Sequence, residues 1–175
     1  MVTVMDDFSG FILVWALQID MTSDSLIEVI QGAVDITGMS DVPVEDRTRL
    51  FPDNGSGYVS RLFWEYLQLF GIRCILASPY HLQINGKLER YHQTLKRDVN
   101  QVPSDVPEYL KTVIGEFVNY YNLRRYHKAL GEVTLADMLA GRQDEILGRK
   151  REMKARTIEE RKQANKILRQ QLSSA

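Results

Sequence analysis

The feature of this sequence that most constrains its fold is an alternation between short apolar runs and segments whose apolar residues recur every three to four positions. The recurring positions predict helices over residues 22–34 and 59–70, the second ended by Gly71. The apolar runs are strand candidates at residues 2–5, 11–17, 48–51 and 72–77. Because strands alternate with crossover helices, the pattern predicts an α/β domain.

The second half of the sequence carries helical patterns alone. Residues 86–99 and 107–122 are predicted helices, and Thr134 is expected to cap a short one that ends at residue 140. From residue 142 to 172 charged helix formers dominate, and their sparse apolar residues keep no heptad, which argues against a coiled coil. The α/β domain is therefore expected to be followed by a helical extension.

Composition excludes several classes of protein. With 175 residues, 44% hydrophobic and 26% charged, the chain has ordinary globular composition. Its longest apolar run, residues 11–17, is too short to span a bilayer, and its first ten residues hold no signal-peptide pattern. The one cysteine, Cys74, excludes an internal disulfide and a cysteine-based zinc site, and its place in a strand predicts a buried thiol. We therefore expect a cytoplasmic protein with no membrane partner.

Charge is unevenly distributed although the formal net charge is only −1. Residues 1–60 carry a net charge of −8 and residues 61–100 carry +3, whereas residues 101–141 carry −1 and residues 142–175 carry +5. Such a polarised chain could hold metal at its acidic front and a polyanion at its basic rear. Ordinary variation of charge along a chain remains the alternative.

Two acids stand where a metal site could form. Asp53 follows a short strand candidate in the tripeptide Asp-Asn-Gly, and Glu89 lies near the start of a predicted helix, with 35 residues between them. Carboxylates placed in this way can bind divalent cations, and two such cations can act together in phosphoryl transfer. Asp-Asn-Gly is also a common turn, and Glu followed by Arg is a common exposed pair, so the acids alone leave both interpretations open.

Four segments make the interpretation specific: DDFSGFILVWAL, PDNGSGYVS, GIRCILASPYHLQINGKLERYHQTLKRD and FVNYYNLRRYHKALGEVTLADMLAGR. In this order and spacing they resemble the integrase catalytic core of retroviral integrases and of the bacterial insertion-sequence transposases that share it. The resemblance implies a ribonuclease H-like fold, a mixed sheet flanked by helices. The first, central strand of that fold would precede residue 2, so we expect an N-terminally truncated core. Gly10 and Leu82 depart from the usual Arg and Pro of the insertion-sequence relatives.

The resemblance also implies which acids are catalytic. The family binds two magnesium or manganese ions with two aspartates and a glutamate, and Asp53 and Glu89 match the second aspartate and the glutamate. The first aspartate has no matching position here. Asp6 and Asp7 match a non-catalytic turn, and Asp20 is expected to precede a helix rather than to bind metal.

A nucleic-acid surface is expected around Glu89. Helical spacing places Glu89, His92, Gln93 and Lys96 on one face of the helix that starts at residue 86, opposite its core residues. In the resembled family this helix and the loop before it contact DNA ends. The predicted DNA-binding residues are Asn85, Lys87, Arg90, Gln93, Lys96 and Arg97. His81 and His92 are not expected to bind metal, since magnesium prefers oxygen ligands.

A cluster of aromatic and basic residues follows in the segment NYYNLRRYH. Tyr120, Tyr121 and Tyr126, with Arg124 and Arg125, could stack on bases or contact phosphates. Packing of the helix against the sheet is the favoured alternative.

We therefore interpret residues 1–100 as a truncated integrase catalytic core, residues 101–141 as its C-terminal helices and residues 142–175 as a basic helical tail. The implied function is DNA transposition or integration by metal-dependent cleavage and strand transfer at DNA ends. The expected partners are DNA and either a second copy or a full-length transposase. Since one catalytic aspartate is missing, we expect impaired activity.

Other interpretations stay open from the sequence. One is a non-catalytic DNA-binding or transposase-modulating fragment, another is a decayed remnant, and a third, weaker one is a ribonuclease H-like nuclease. Loss of the central strand would also leave backbone groups unpaired inside the sheet. We therefore expect a chain that folds marginally, closes the gap imperfectly or borrows a strand from another chain.

Overall fold

The structure is a computed structural model that describes residues 1–52, 56–75, 86–100 and 106–173, without the side chains of Ser56 and Ser173. The predictions made for Asp53, His81, Leu82 and Asn85 lie outside these residues. The chain forms two compact units, Met1–Asn122 and Leu123–Ala175. The sequence-based division at residues 100 and 141 stays a prediction.

The first unit begins with an antiparallel hairpin. Strand β1 (Val2–Met5) pairs with β2 (Ile12–Ala16), and the register shifts by one residue after Val4. Both strands lie within the predicted segments. The hairpin is closed by hydrogen bonds between Asp6 and Phe11, N to O 2.8 Å, and between Gly10 and Asp6, 2.7 Å.

The turn of this hairpin explains its sequence. The Asp6 carboxylate accepts hydrogen bonds from the backbone N–H of Ser9 at 2.7 Å and from its hydroxyl at 2.6 Å, which confirms the predicted Asx-type turn. Gly10 has a φ of 78°, in the left-handed region that glycine adopts at little cost. An arginine in this same conformation would be strained.

The two faces of the hairpin pack against different helices. Successive residues point to opposite faces, and Val4 and Val14, a facing pair, pack into a core with helix α1 (Ser23–Thr37). Thr3 and Trp15, also a facing pair, point the other way: Trp15 lies against Gly115, where an added Cβ would come within 3.4 Å of its ring. The hairpin is thus a middle layer between helices.

A second sheet is much shorter than the sequence suggests. Strands β3 (Arg49–Leu50) and β4 (Arg73–Cys74) pair in parallel, within the predicted segments 48–51 and 72–77. No described strand joins this sheet to the hairpin, so the described strands form two separate two-stranded sheets. The backbone of Ile75 still donates to Leu50 at 2.9 Å.

Helix α2 (Arg61–Leu69) connects the two strands of the second sheet. It begins two residues later than predicted, since Ser60 caps it and a 3-10 turn, Ser56–Val59, precedes it. Gly71, with a φ of 59°, follows its end, and the N–H groups of residues 71 and 72 donate to the carbonyls of residues 68 and 67. This is the glycine-terminated helix end that the sequence predicts.

The predicted loop 38–46 contains two 3-10 turns, Met39–Asp41 and Val44–Asp46. Arg47 fixes this segment to the end of α2. Its guanidinium donates to the carbonyls of Val42 at 2.8 Å, Ser40 at 3.0 Å and Phe70.

Helices α3 (Gly86–Val99) and α4 (Pro107–Leu123) pack together through aromatic rings. Tyr91 is fully buried, and its ring lies 5.0 Å from that of Tyr121 and 6.1 Å from that of Phe117. Burial raises the pKa of the Tyr91 phenol well above its ordinary value. Since Trp15 contacts α4, this aromatic layer covers the second face of the hairpin.

The second unit is built on helices α5 (Leu135–Leu139) and α6 (Gln143–Ser173). Thr134 caps α5 as predicted: its hydroxyl accepts the N–H of Asp137 at 3.1 Å and donates to the Asp137 carboxylate at 2.7 Å. Only the first turns of α6 are partly covered, and its side chains from residue 149 to 172 are exposed.

Of the helices in the described part of the chain, none is long and apolar enough to cross a membrane.

Candidate functional site

Glu89 projects from the first turn of α3 into solvent. The helix is anchored by Tyr91 and Leu95, which are buried on its core side, so the turn geometry directs Glu89 away from the core. An acid in the first turn is also stabilised by the positive end of the helix dipole. The Glu89 carboxylate is therefore exposed to solvent on a packed helix, where a cation can reach it.

A polar stripe surrounds Glu89 on the exposed side of α3. Its members follow one another at helical spacing: Glu89, Arg90, Gln93, Lys96 and Arg97. All five are exposed. Arg97 makes one weak, exposed ion pair with Asp98 at 3.4 Å. The predicted site residues of α3 thus lie together beside one carboxylate, with Lys87 as the exception.

Lys87 lies off this stripe, against the hairpin turn. Its ammonium is 3.2 Å from the Asp7 carboxylate and also donates to the Asp7 carbonyl. The pair joins α3 to the turn between β1 and β2 across 80 residues of sequence. Asp7, predicted to be a turn residue only, therefore also helps to position the start of α3.

His92 does not share the exposure of Glu89, although the sequence places the two on one face. Its Nε2 lies 3.2 Å from the hydroxyl of Thr3 on β1, and its ring lies 5.2 Å from that of Tyr91. Its partial burial beside β1 is something that helical spacing alone could not show, and its place beside the metal site stays a prediction.

Only one of the two predicted metal ligands lies in the described part of the chain. Glu89 is described, whereas its predicted partner Asp53 and the predicted DNA contact Asn85 lie outside the described residues. Within the described ranges, no three His, Cys, Asp or Glu side chains cluster closely enough to hold a metal ion. Convergence of Asp53 and Glu89 therefore stays a prediction.

Asp20 fits its predicted role as a helix-approach residue. Its carboxylate accepts hydrogen bonds from the hydroxyls of Ser25 at 2.6 Å and Thr22 at 2.9 Å, just before α1. These bonds to Ser25 and then Thr22 hold the pKa of Asp20 below its usual value.

Asn122 is a structural residue that the sequence analysis missed. Its side chain is buried, its Oδ1 accepts the N–H of Ile12 at 3.0 Å, and its Nδ2 donates to the carbonyl of Ile12 at 2.9 Å. The amide thereby pairs with β2 as a neighbouring strand would. The motif NYYN contains this residue, but no spacing rule distinguishes its role from that of the exposed Asn119.

The tyrosines near Asn122 differ in burial, and the predicted contacts to bases or phosphates stay a prediction. Tyr121 packs on Tyr91 as favoured, whereas Tyr120 and Tyr126 are exposed. Cys74 is partly buried beside the core of the first unit, and burial raises the pKa of its thiol. It behaves as the small hydrophobic residue that the sequence indicates.

Comparison with known families decides what this fold is. The family described as integrase core domain matches the chain twice, over residues 1–81 and residues 70–134. The chain carries a retroviral-integrase-like catalytic core. The predicted kinship is thus confirmed at the level of retroviral integrases.

Curated relatives of this integrase-like core are retroviral polyproteins. The chain is 35% identical over 98 residues to the Gag-Pro-Pol polyprotein of squirrel monkey retrovirus, and 34% identical over 98 residues to that of Mason-Pfizer monkey virus. Each match covers 56% of this chain and 5% of the polyprotein. The chain therefore spans a small fraction of the relatives that it matches.

Solved structures share the fold of the integrase-like core. The HTLV-2 integrase catalytic core domain in complex with magnesium (trimeric form) is similar with a TM-score of 0.57 at 20% identity, over 77% of this chain and 80% of that one. The BIV integrase catalytic core has a TM-score of 0.57 at 16% identity, over 82% and 88%. The predicted ribonuclease H-like α/β class is confirmed.

Proposed function

We propose that this chain acts in DNA integration or transposition, through divalent-metal-dependent phosphodiester cleavage and strand transfer at DNA ends. The observation that carries the proposal is the polar stripe of α3, where Glu89 stands beside Arg90, Gln93, Lys96 and Arg97 within an integrase-core fold. A carboxylate for a metal ion next to cations for phosphates is what phosphoryl transfer on DNA requires.

The proposed metal ligands are Asp53 and Glu89. Their carboxylates are the hard oxygen donors that Mg²⁺ or Mn²⁺ prefers, and the similar HTLV-2 core is a magnesium complex. Two bound ions, as the family likeness implies, would lower the pKa of water and stabilise charge at phosphorus. Glu89 is exposed on a packed helix, so a metal ion can reach its carboxylate without any unfolding of the chain.

The remaining polar residues of α3 are proposed to hold the DNA backbone. Arg90, Lys96 and Arg97 carry the positive charge, and Gln93 and Asn85 add neutral hydrogen-bonding groups. Lys87 would join them only by exchanging the Asp7 carboxylate for a phosphate. That exchange costs little, since exposed ion pairs contribute at most about 1 kcal/mol.

Self-association is the proposed assembly of the chain. Similar integrase cores are described in dimeric and trimeric forms, and a simian T-cell lymphotropic virus intasome matches with a TM-score of 0.58 at 19% identity, over 78% of this chain and 46% of that one. Pairing with a full-length transposase is the alternative assembly, and DNA is the proposed substrate in both.

The assignment of Asp53 and Glu89 as metal ligands can be tested without measuring catalysis. A specific test is manganese binding, followed by the paramagnetic broadening of NMR signals. We expect broadening around Glu89 that Glu89→Gln or Asp53→Asn abolishes, while Glu116→Gln, an exposed acid on α4, leaves it unchanged. Broadening that persists in Glu89→Gln would overturn the assignment.

Catalysis is tested separately, by nicking of supercoiled plasmid DNA in Mn²⁺. We expect slow nicking that disappears in both site variants. Plasmid retention without any nicking would contradict the catalytic proposal and favour the alternative function, a non-catalytic DNA-binding or transposase-modulating fragment. The exposed cations of the α3 stripe support that alternative equally, since contacts to phosphates need no metal.

A further inference from the structure

The outer part of α6 is a long helix with no cover in its own unit. From residue 149 to 172 every side chain is exposed, over more than twenty residues. Its beginning is fixed instead: the Lys150 ammonium donates to the carbonyl of Glu132 at 2.5 Å and lies 5.6 Å from the Tyr126 ring centre. The helix is thus held at one end and offers its whole surface to a partner.

Charge on this helix is segregated by side. Six cations of α6 lie within an arc of about 140° at 100° per residue, among them Arg151 and Lys162. We call the other four the basic face of α6: Lys154, Arg161, Lys166 and Arg169. None of the four has a carboxylate within ion-pair distance among the described residues. On the opposite side, Arg149 pairs with Glu145 at 2.5 Å and Arg156 with Glu160 at 3.7 Å.

Two cations of the basic face lie close together on the helix surface. Lys166 and Arg169 line a shallow surface depression together with Lys162, Asn165 and Gln170. The Lys162 ammonium lies 3.9 Å from the Glu159 carboxylate, whereas Lys166 and Arg169 have no such partner among the described residues, so an anion between these two would relieve their mutual repulsion. From Lys154 to Arg169 the face extends about 22 Å, at 1.5 Å per residue.

The apolar residues of the same helix do not support a protein or membrane partner. Five large apolar side chains are exposed over an arc of about 180°, and cations of the basic face lie between them, so they form no continuous apolar stripe. The five are Met153, Ile158, Ile167, Leu168 and Leu172. A helix that packs on another helix or lies in a bilayer surface needs one apolar face. It is the charged residues of α6 that are separated by side, with the basic face on one side and the Arg–Glu pairs on the other.

We propose that the basic face of α6 binds the phosphate backbone of duplex DNA. Duplex DNA carries one charge about every 1.7 Å, so a straight array of this length meets many phosphates. Single strands are a poorer match, because proteins that bind them use aromatic side chains as stacking platforms, and α6 contains no aromatic residue. The contact extends the proposed function, since DNA is the substrate there too, but it needs no metal.

The test is fluorescence anisotropy of the full chain with a labelled duplex of about 30 base pairs and arbitrary sequence, in EDTA at several salt concentrations. Lys166→Gln with Arg169→Gln should weaken binding about tenfold at 0.1 M salt and reduce the slope of log K against log salt by about 1.8. Arg149→Gln with Arg156→Gln removes the same charge from the opposite side and should change affinity less than about twofold.

Two further measurements make the result decisive. Lys166→Arg with Arg169→Lys keeps both charges and should keep the affinity, while circular dichroism shows that every variant retains its helix. Equal losses in the two charge-removing variants would overturn the proposal, as would tighter binding of single-stranded RNA than of duplex DNA. Because no metal is present, failure here leaves manganese binding by Glu89 untouched, and loss of manganese binding leaves this experiment unchanged.

Discussion

At the scale of single residues, Glu89 and Asn122 are the two most informative side chains, and their surroundings are opposite. Glu89 is exposed and free to act on something outside the protein, whereas Asn122 is buried and acts on the protein's own backbone. The family likeness identified Glu89 because its neighbours in sequence are distinctive. Asn122 could not be predicted, because its partner Ile12 is 110 residues away and the contact exists only in the folded chain.

Asn122 is therefore a sensitive site for stability. Replacing it with alanine removes both hydrogen bonds to Ile12 and leaves a buried N–H and C=O unpaired, so we expect a loss of about 2–4 kcal/mol in unfolding free energy. Asn119→Ala, on the exposed side of the same helix, should cost less than about 0.5 kcal/mol. Urea denaturation of both variants measures the difference, and equal stabilities would show that the Asn122 contacts contribute nothing.

At the scale of secondary structure, helices followed the sequence more closely than strands. The helices α3 and α4 match their predicted limits to within one residue, because periodic apolar positions extend over several turns. Strands β3 and β4 have only two residues each, since pairing depends on a neighbouring strand that a local pattern cannot supply. The loop 38–46 contains 3-10 turns held by Arg47, again through distant carbonyls.

The cap of α5 gives a pH dependence that can be measured. Hydrogen bonding by Thr134, with Arg142 second, holds the pKa of Asp137 below its usual 3.8. The contribution of this cap to stability is therefore complete above about pH 4 and is lost as the pH falls through the lower folded pKa. NMR titration should show the Asp137 carboxyl titrating below 3.8, and Thr134→Ala should raise its pKa. Titration at or above 3.8 in the unmodified protein would contradict the cap.

At the scale of the whole molecule, the first unit has one core but two sheets. Val2 of the hairpin and Ile72 before β4 belong to the same buried cluster as Val34, Phe63 and Leu67. The described strands nevertheless remain in two separate pairs, and each pair presents an edge of backbone groups without a partner strand in the described structure. Open edges favour pairing with another chain.

The midpoint of thermal unfolding should consequently rise with protein concentration. Pairing of an open strand edge with a second copy stabilises the associated, folded chain by mass action. Differential scanning calorimetry at two concentrations makes the measurement. A sharp transition above about 65 °C that is independent of concentration would refute this expectation.

The central claim is that the carboxylates of Asp53 and Glu89 bind the same metal site, and anomalous scattering from Mn²⁺-soaked crystals tests it most directly. We expect a manganese peak that both carboxylates contact at about 2.0–2.6 Å, and no such peak in crystals of Glu89→Gln. Carboxyl groups more than about 10 Å apart, or a manganese peak that contacts neither of them, would contradict it.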